Sequence, residues 1–248
     1  MLISITEVCR MGCLHCMDDA KPKGQHMSME TFQEAVNFFI RHDNSNFIMT
    51  GGEPTENPHF WEMVEYAAKR VPIVTVTTNG MNLVDNNDAY ERINSLNKKY
   101  GEKILWQVTH VEKYYPQHIN YFDKIFSLEN VFLTTELEAI YPQGRARTNK
   151  LSWNSKGSKC FNIRSLARKF ENFDLAIAGL KMKFKFCTPQ IDIHGNIKLG
   201  ESMLCPVASN IYKTPHKIVE DICNFKCSQC DIVNRRLPIQ YLEAIGEK

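Results

Sequence analysis

The chain has 248 residues, 43% of them hydrophobic and 23% charged, with a formal net charge of +2. This suits one packed core of barrel size, with or without a small appendage, and excludes attraction to polyanions through bulk charge, so no nucleic-acid partner is expected. No apolar run reaches the roughly 18 residues of a membrane helix, so no membrane partner is expected either. The opening "MLISITEVC" has neither a charged n-region nor an apolar h-region, and reads as the first strand of a cytoplasmic protein.

Strands are predicted at 2–8, 46–51, 73–79, 104–110 and 131–137. Between the first two, "SMETFQEAVNFFIRH" predicts an amphipathic helix, with Ser28 as cap and Phe32, Val36, Phe39 and Ile40 on its apolar face. "NPHFWEMVEYAAKR" predicts another, with Pro58 near its first turn and Phe60, Met63, Val64 and Ala67 inward. Further helices are expected near 85–100 and 115–126. Strands alternating with helices indicate parallel βα units. After about residue 138 the pattern changes. "YPQGRARTNKLSWNSKGSK" reads as a long loop, followed by a helix over 160–171 and a strand near 182–187. "QIDI", "HGN" and "IKL" then read as a hairpin, and "TPHKIVEDICN" as a helix.

Nine cysteines in a chain without a secretion signal indicate metal or iron–sulfur ligation rather than disulfides. Cys9, Cys13 and Cys16 follow the first strand as C-x3-C-x2-C. Three thiolates can ligate three irons of a four-iron cluster and leave the fourth open. The alternative is a structural zinc loop completed by His15 or a distant cysteine. A redox dithiol would use only two cysteines.

This motif resembles the signature of the radical SAM superfamily. The resemblance implies a [4Fe–4S] cluster on Cys9, Cys13 and Cys16, with S-adenosylmethionine on the open iron and His15 packing on adenine. "TGGEPTENP" resembles the family's GGEP motif, which implies that Gly51, Gly52 and Glu53 meet the methionine end. "TVTTNG" resembles the ribose-side segment, placing Thr78 and Asn79 at the site; Gln107 and Thr109 on the fourth strand are further candidates. "YPQGRA" resembles a P-x-GRA segment, in which Arg145 would pair with a carboxylate. The bland alternatives are a strand-to-helix turn for the glycines, polar strand contacts for Gln107 and Thr109, and a solvated Arg145. The implied fold is α/β, a partial (β/α)6 barrel of the TIM type, over residues 1–180.

Cys187, Cys205, Cys227 and Cys230 form a second set, in the order Cys, hairpin, Cys, helix, CxxC. Four thiolates can close a zinc knuckle or a four-iron site. The order resembles the twitch domain, the short form of the SPASM extension, which implies an auxiliary [4Fe–4S] cluster in residues 181–248. It is similar to the tail of a radical SAM aminocyclitol dehydrogenase. Cys223 reads as a core residue. Cys160 reads as a free thiol or as a hydrogen donor to a substrate radical; it and Arg145 are the candidate catalytic residues.

The resemblance implies an oxidoreductase that cleaves S-adenosylmethionine reductively, with a ferredoxin or flavodoxin as electron donor. Peptide or protein modification is the expected chemistry. The cations Arg145, Arg147, Lys150, Lys156 and Lys159 would steer an acidic leader. Oxidation of a small polar metabolite is the alternative, and a zinc-stabilised binding module without enzymatic activity is a third reading.

Overall fold

The computed structural model describes residues 1–42, 46–84, 86–111, 113, 123–135, 140, 144–151, 190–198 and 207–224. The chain divides into two compact units. One comprises Met1–Ser155 with Ile191–Gly195; the other comprises Lys156–Gln190 with Asn196–Lys248.

In the first unit five parallel strands form one sheet: β1 (Leu2–Ser4), β2 (Phe47–Thr50), β3 (Val74–Thr78), β4 (Ile104–Thr109) and β5 (Val131–Thr134). Each strand pairs with its neighbours in sequence. This is the order of a barrel wall rather than of a doubly wound sheet. The connections carry α1 (Met29–His42), α2 (Phe60–Ala68), α3 (Asn87–Tyr100) and α4 (Asp123–Phe126). All five strands coincide with the expected apolar runs and are shorter at their ends. Of the helix expected over 115–126, the described part is α4.

Register decides which strand residues share a face. Met49, Val76 and Trp106 are aligned across β2, β3 and β4. This face meets the helices. Phe47 packs edge-on against Phe32 and Phe39 of α1, with ring centroids 5.7 and 5.3 Å away. Trp106 donates its indole N–H to Asn97 Oδ1 of α3 at 2.9 Å, which satisfies a polar group that burial would otherwise penalise. The opposite face carries Ser4, Thr50, Thr77, Gln107 and Thr109, each half-buried. One wall of the sheet is therefore oily and the other rich in hydroxyl and amide groups.

The caps explain where the helices begin. Ser28 Oγ accepts from Thr31 N at 3.2 Å, as the sequence indicates for α1. Helix α2 starts at Phe60, two residues later than its proline suggests, because Asn57 Oδ1 takes the His59 N–H at 2.9 Å. Ile40 departs from its expected place: it is 41% exposed, whereas Phe38 is fully buried. The buried stripe of α1 runs through Phe32, Ala35, Val36 and Phe39 and widens toward Phe38, leaving Ile40 outside. The expected loop after residue 140 contains a short helix, α5 (Gly144–Thr148). Its polar composition hid it, since it is held by tertiary contacts rather than by an apolar stripe.

β6 (Gln190–Ile191) lies where the units divide, and Gly195, with φ of 76°, closes a turn onto the Asp192 carbonyl. In the second unit β7 (Asn196–Lys198) pairs antiparallel with β8 (Val207–Asn210), a strand the sequence pattern did not indicate. The expected helix is present as α6 (Pro215–Asn224). Asp221 on α6 accepts from Ser209 Oγ at 2.8 Å and Lys213 Nζ at 2.7 Å, and these bonds hold its carboxyl down to about 2. The expected helix over 160–171 and the sixth strand near 182–187 lie outside the described residues.

Candidate functional site

The cysteine loop begins where β1 ends. Val8 bridges to Lys21 and Thr6 to His26, so residues 9–20 form a closed excursion from the sheet. Gly12, with φ of 68°, permits the sharp turn between the first two thiols. Cys9 and Cys13 are buried and Cys16 is half-buried, and all three are free thiols. They pack in one group with Met11, Ala20 and Met81.

Burial and mutual proximity govern these thiols. Burial, then the neighbouring Cys9 and Cys16, pushes Cys13 up to about 12. Burial also raises Cys9, opposed by the Met11 N–H, while Glu53 and Cys16 add to the rise. Arg145 works in the other direction on both. Such thiols stay protonated until a cation displaces the proton, which is how thiolate ligands load. His15 is depressed by its own burial and by Arg145, so its imidazole is held neutral.

Arg145, at the start of α5, clasps the loop. Its Nε donates to the Cys13 carbonyl at 3.0 Å, and its Nη1 to the Ala20 carbonyl at 2.6 Å and Asp19 Oδ1 at 3.3 Å. Asn149 adds a bond to the Leu14 carbonyl at 3.0 Å. The remaining Arg145 nitrogen, Nη2, is buried without a hydrogen-bond partner. An unpaired guanidinium N–H beside three thiols suits an anionic neighbour, as a thiolate-ligated cluster with its ligand would be. Gly144 must lack a side chain, because its φ is 50° and a Cβ would strike the Met17 backbone.

The GGEP segment lies along the same loop. Gly52 N donates to the Thr6 carbonyl and Glu53 N to the Val8 carbonyl, both at 2.7 Å. A Cβ at Gly51 or Gly52 would strike Thr6 or Val8 backbone, so both glycines let the chain's own strands close. Glu53 is fully enclosed. Its Oε1 accepts from Thr55 N, Thr55 Oγ1 and Thr78 Oγ1, the last at 2.5 Å, and its Oε2 from Asn79 N at 2.7 Å. Burial raises this carboxyl, and the four donors oppose the rise. Asn79 Nδ2 reaches Cys9 Sγ at 3.5 Å. Gln107 donates to Thr134 Oγ1 at 3.3 Å on the polar wall, where Thr109 also lies.

The fold therefore gathers Cys9, Cys13, Cys16, Glu53, Thr78, Asn79 and Arg145 around one loop. Among the described residues, no three His, Cys, Asp or Glu side chains converge on a single metal ion. A four-iron cluster asks for a different arrangement, since each thiolate meets its own iron. The three grouped thiols and the orphaned Arg145 nitrogen fit such a group. Cys160, Cys187, Cys205, Cys227 and Cys230, with Lys156 and Lys159, lie outside the described residues. Asp19, Thr55 and Asn149 were missed in the sequence; only Thr55, adjoining the GGEP segment, had a local signal.

Residues 3–110 match the family model of the radical SAM superfamily. This segment is a radical SAM domain. Among curated relatives, mycofactocin maturase MftC of Mycobacterium ulcerans is 31% identical over 80 residues, covering 32% of this chain and 22% of that protein. GTP 3',8-cyclase of Shewanella denitrificans is 27% identical over 157 residues, covering 57% and 44%. The chain thus spans less than half the length of these relatives. Among solved structures, BtrN in complex with AdoMet and 2-DOIA superposes with a TM-score of 0.54 at 11% identity, covering 97% of this chain and 85% of that one. That likeness concerns the fold: an open, mostly parallel α/β sheet of the partial-barrel kind. The radical SAM domain takes in the cysteine loop, Glu53 and Asn79, while Arg145 lies beyond it.

Proposed function

We propose that this protein is a radical SAM enzyme that modifies a peptide or protein. The observation that carries the reading is the loop of Cys9, Cys13 and Cys16, clasped by Arg145 at the carboxyl ends of parallel strands, where barrel enzymes place their sites. Cys9, Cys13 and Cys16 would hold a [4Fe–4S] cluster. When bound, that cluster and S-adenosylmethionine supply a deoxyadenosyl radical that removes a hydrogen atom from the substrate. Arg145 Nη2 and the neutral His15 are placed to meet anionic and aromatic parts of the ligand. Glu53 and Thr78 hold the Asn79 segment against the loop. The likeness to a maturase supports a peptide substrate, and exposed Arg147 and Lys150 suit an acidic leader.

A second reading, oxidation of a small polar metabolite, is favoured by the half-buried Ser4, Thr50, Thr77, Gln107 and Thr109 on one wall. These groups suit hydroxyl-bearing ligands. In either reading Cys187, Cys205, Cys227 and Cys230 would ligate an auxiliary cluster in a twitch-like tail, with a low-potential ferredoxin or flavodoxin as donor.

The test is anaerobic reconstitution with iron and sulfide, then S-adenosylmethionine and reductant, with deoxyadenosine quantified. Stimulation by the peptide fraction of source-cell extract supports the first reading, and stimulation by the small-molecule fraction the second. Cys13→Ala should abolish deoxyadenosine. Cys230→Ala should spare uncoupled cleavage and lower iron per chain. Zinc in place of iron, with no deoxyadenosine, would overturn the assignment.

A further inference from the structure

We propose that Asn79 is a positioning residue that raises the reduction potential of the cluster by donating a hydrogen bond from its carboxamide to the Cys9 sulfur. The proposal rests on the cluster reading of the cysteine loop given above.

The bond itself is Asn79 Nδ2 to Cys9 Sγ, 3.5 Å, within the ordinary range for sulfur. Which end of the amide faces the sulfur is decided by its other end: Oδ1 accepts the Met81 N–H at 2.8 Å. Flipping the amide would break that bond and turn an acceptor toward the thiol. The backbone is equally constrained. Asn79 N donates to Glu53 Oε2 at 2.7 Å, Thr78 Oγ1 donates to Glu53 Oε1 at 2.5 Å, and Gly80 N donates to Thr78 Oγ1 at 3.0 Å. Gly80 adopts φ of 77°, which lets the chain turn immediately after Asn79. Four consecutive residues, 78 to 81, are thus pinned around one side-chain amide that points at one sulfur. Cys9 is only 6% exposed, so water competes weakly for that sulfur.

The consequence is electrostatic. One-electron reduction of a thiolate-ligated cluster adds negative charge that spreads onto the ligating sulfurs. An N–H aimed at a sulfur stabilises the reduced state more than the oxidised one, so the potential rises. Glu53 works through Asn79: its carboxylate is saturated by the chain's own donors and fixes where Asn79 sits.

The experiment is a potentiometric titration of the reconstituted protein with dithionite, followed by EPR. The relevant signal is the one absent from Cys13→Ala. Two variants are compared with the parent: Asn79→Leu, which removes the donor at similar volume, and Asn79→Asp, which keeps the acceptor for Met81 N and replaces the donor with an anion. Both should retain parental iron content and show a more negative midpoint, Asn79→Asp the lower of the two. Parental midpoints in both variants would overturn the proposal. So would loss of iron in both, since the residue would then be needed for assembly rather than tuning. A parent protein with no signal removed by Cys13→Ala would fail the cluster reading itself and take the proposal with it.

Discussion

Arg145 Nε donates to the Cys13 carbonyl at 3.0 Å across 132 residues of sequence. Its Nη1 closes the other side of the loop on the Ala20 carbonyl. One side chain therefore ties the backbone at the middle cysteine and at the end of the loop to α5, so the loop is a tertiary feature as much as a local one.

Arg145→Ala should loosen this loop. Charge-assisted bonds of this kind contribute about 1.5–3 kcal/mol when buried, and the partial exposure of Arg145 puts the expected loss near the lower end. Iron per chain after reconstitution and the denaturation midpoint should both fall. Arg145→Lys should recover little, because an ammonium lacks the planar fork that reaches two carbonyls. Full iron content in Arg145→Ala would show that the loop holds itself.

Glu53 is raised by burial. An acid with a raised folded value lends stability that is fully present below its unfolded value of 4.5 and is lost as pH rises through the folded one. Glu53→Gln removes that slope but sets an amide N–H₂ against a donor, either Asn79 N or the Thr55 and Thr78 group. It should cost about 1–3 kcal/mol at low pH, with the gap to the parent narrowing as pH rises. Urea midpoints of both proteins across pH 4 to 8 measure this; a gap that widens with pH would reverse the sign.

Glu65 behaves oppositely. Bonds from Lys99, Lys69 and Tyr100 hold its carboxyl down to about 2. Its stabilisation is present above 4.5 and is lost as pH falls from there toward about 2. The group is a third exposed, so solvent screening limits the effect to under about 1 kcal/mol. Glu65→Gln should lower stability by up to that amount at neutral pH and converge with the parent as pH falls toward about 2, which flattens the acid limb; urea midpoints across that range measure it.

Phe32 joins α1 to β2 and is fully buried against Phe47 and Tyr66. Phe32→Ala should cost about 3–5 kcal/mol through lost burial and the cavity left behind. Thermal or urea unfolding checks it. A loss under about 1 kcal/mol would mean that α1 repacks freely on the sheet.

Much of the first unit was legible because its signals are local. The five strands are apolar runs, Ser28 caps its own helix, and the thiols and GGEP segment are compact motifs whose chemistry needs those spacings. Ile40 and α5 were misread for one reason: the width of a buried stripe, and the survival of a five-residue helix, depend on what packs against them. β8 went unseen because its "VASN" is too short and polar to declare itself without β7 beside it.

By itself the sequence determined the three-thiol motif, the loop that carries it and the alternation of strand and helix, since thiol spacing and hydrophobic periodicity are properties of neighbours along the chain. The partners of those thiols were decided only by the tertiary structure. Asn79 lies 70 residues from Cys9, and Arg145 lies 132 from Cys13. Parallel pairing in register is what brings strand ends together, and a hydrogen bond operates over ångströms in space whatever the separation in sequence.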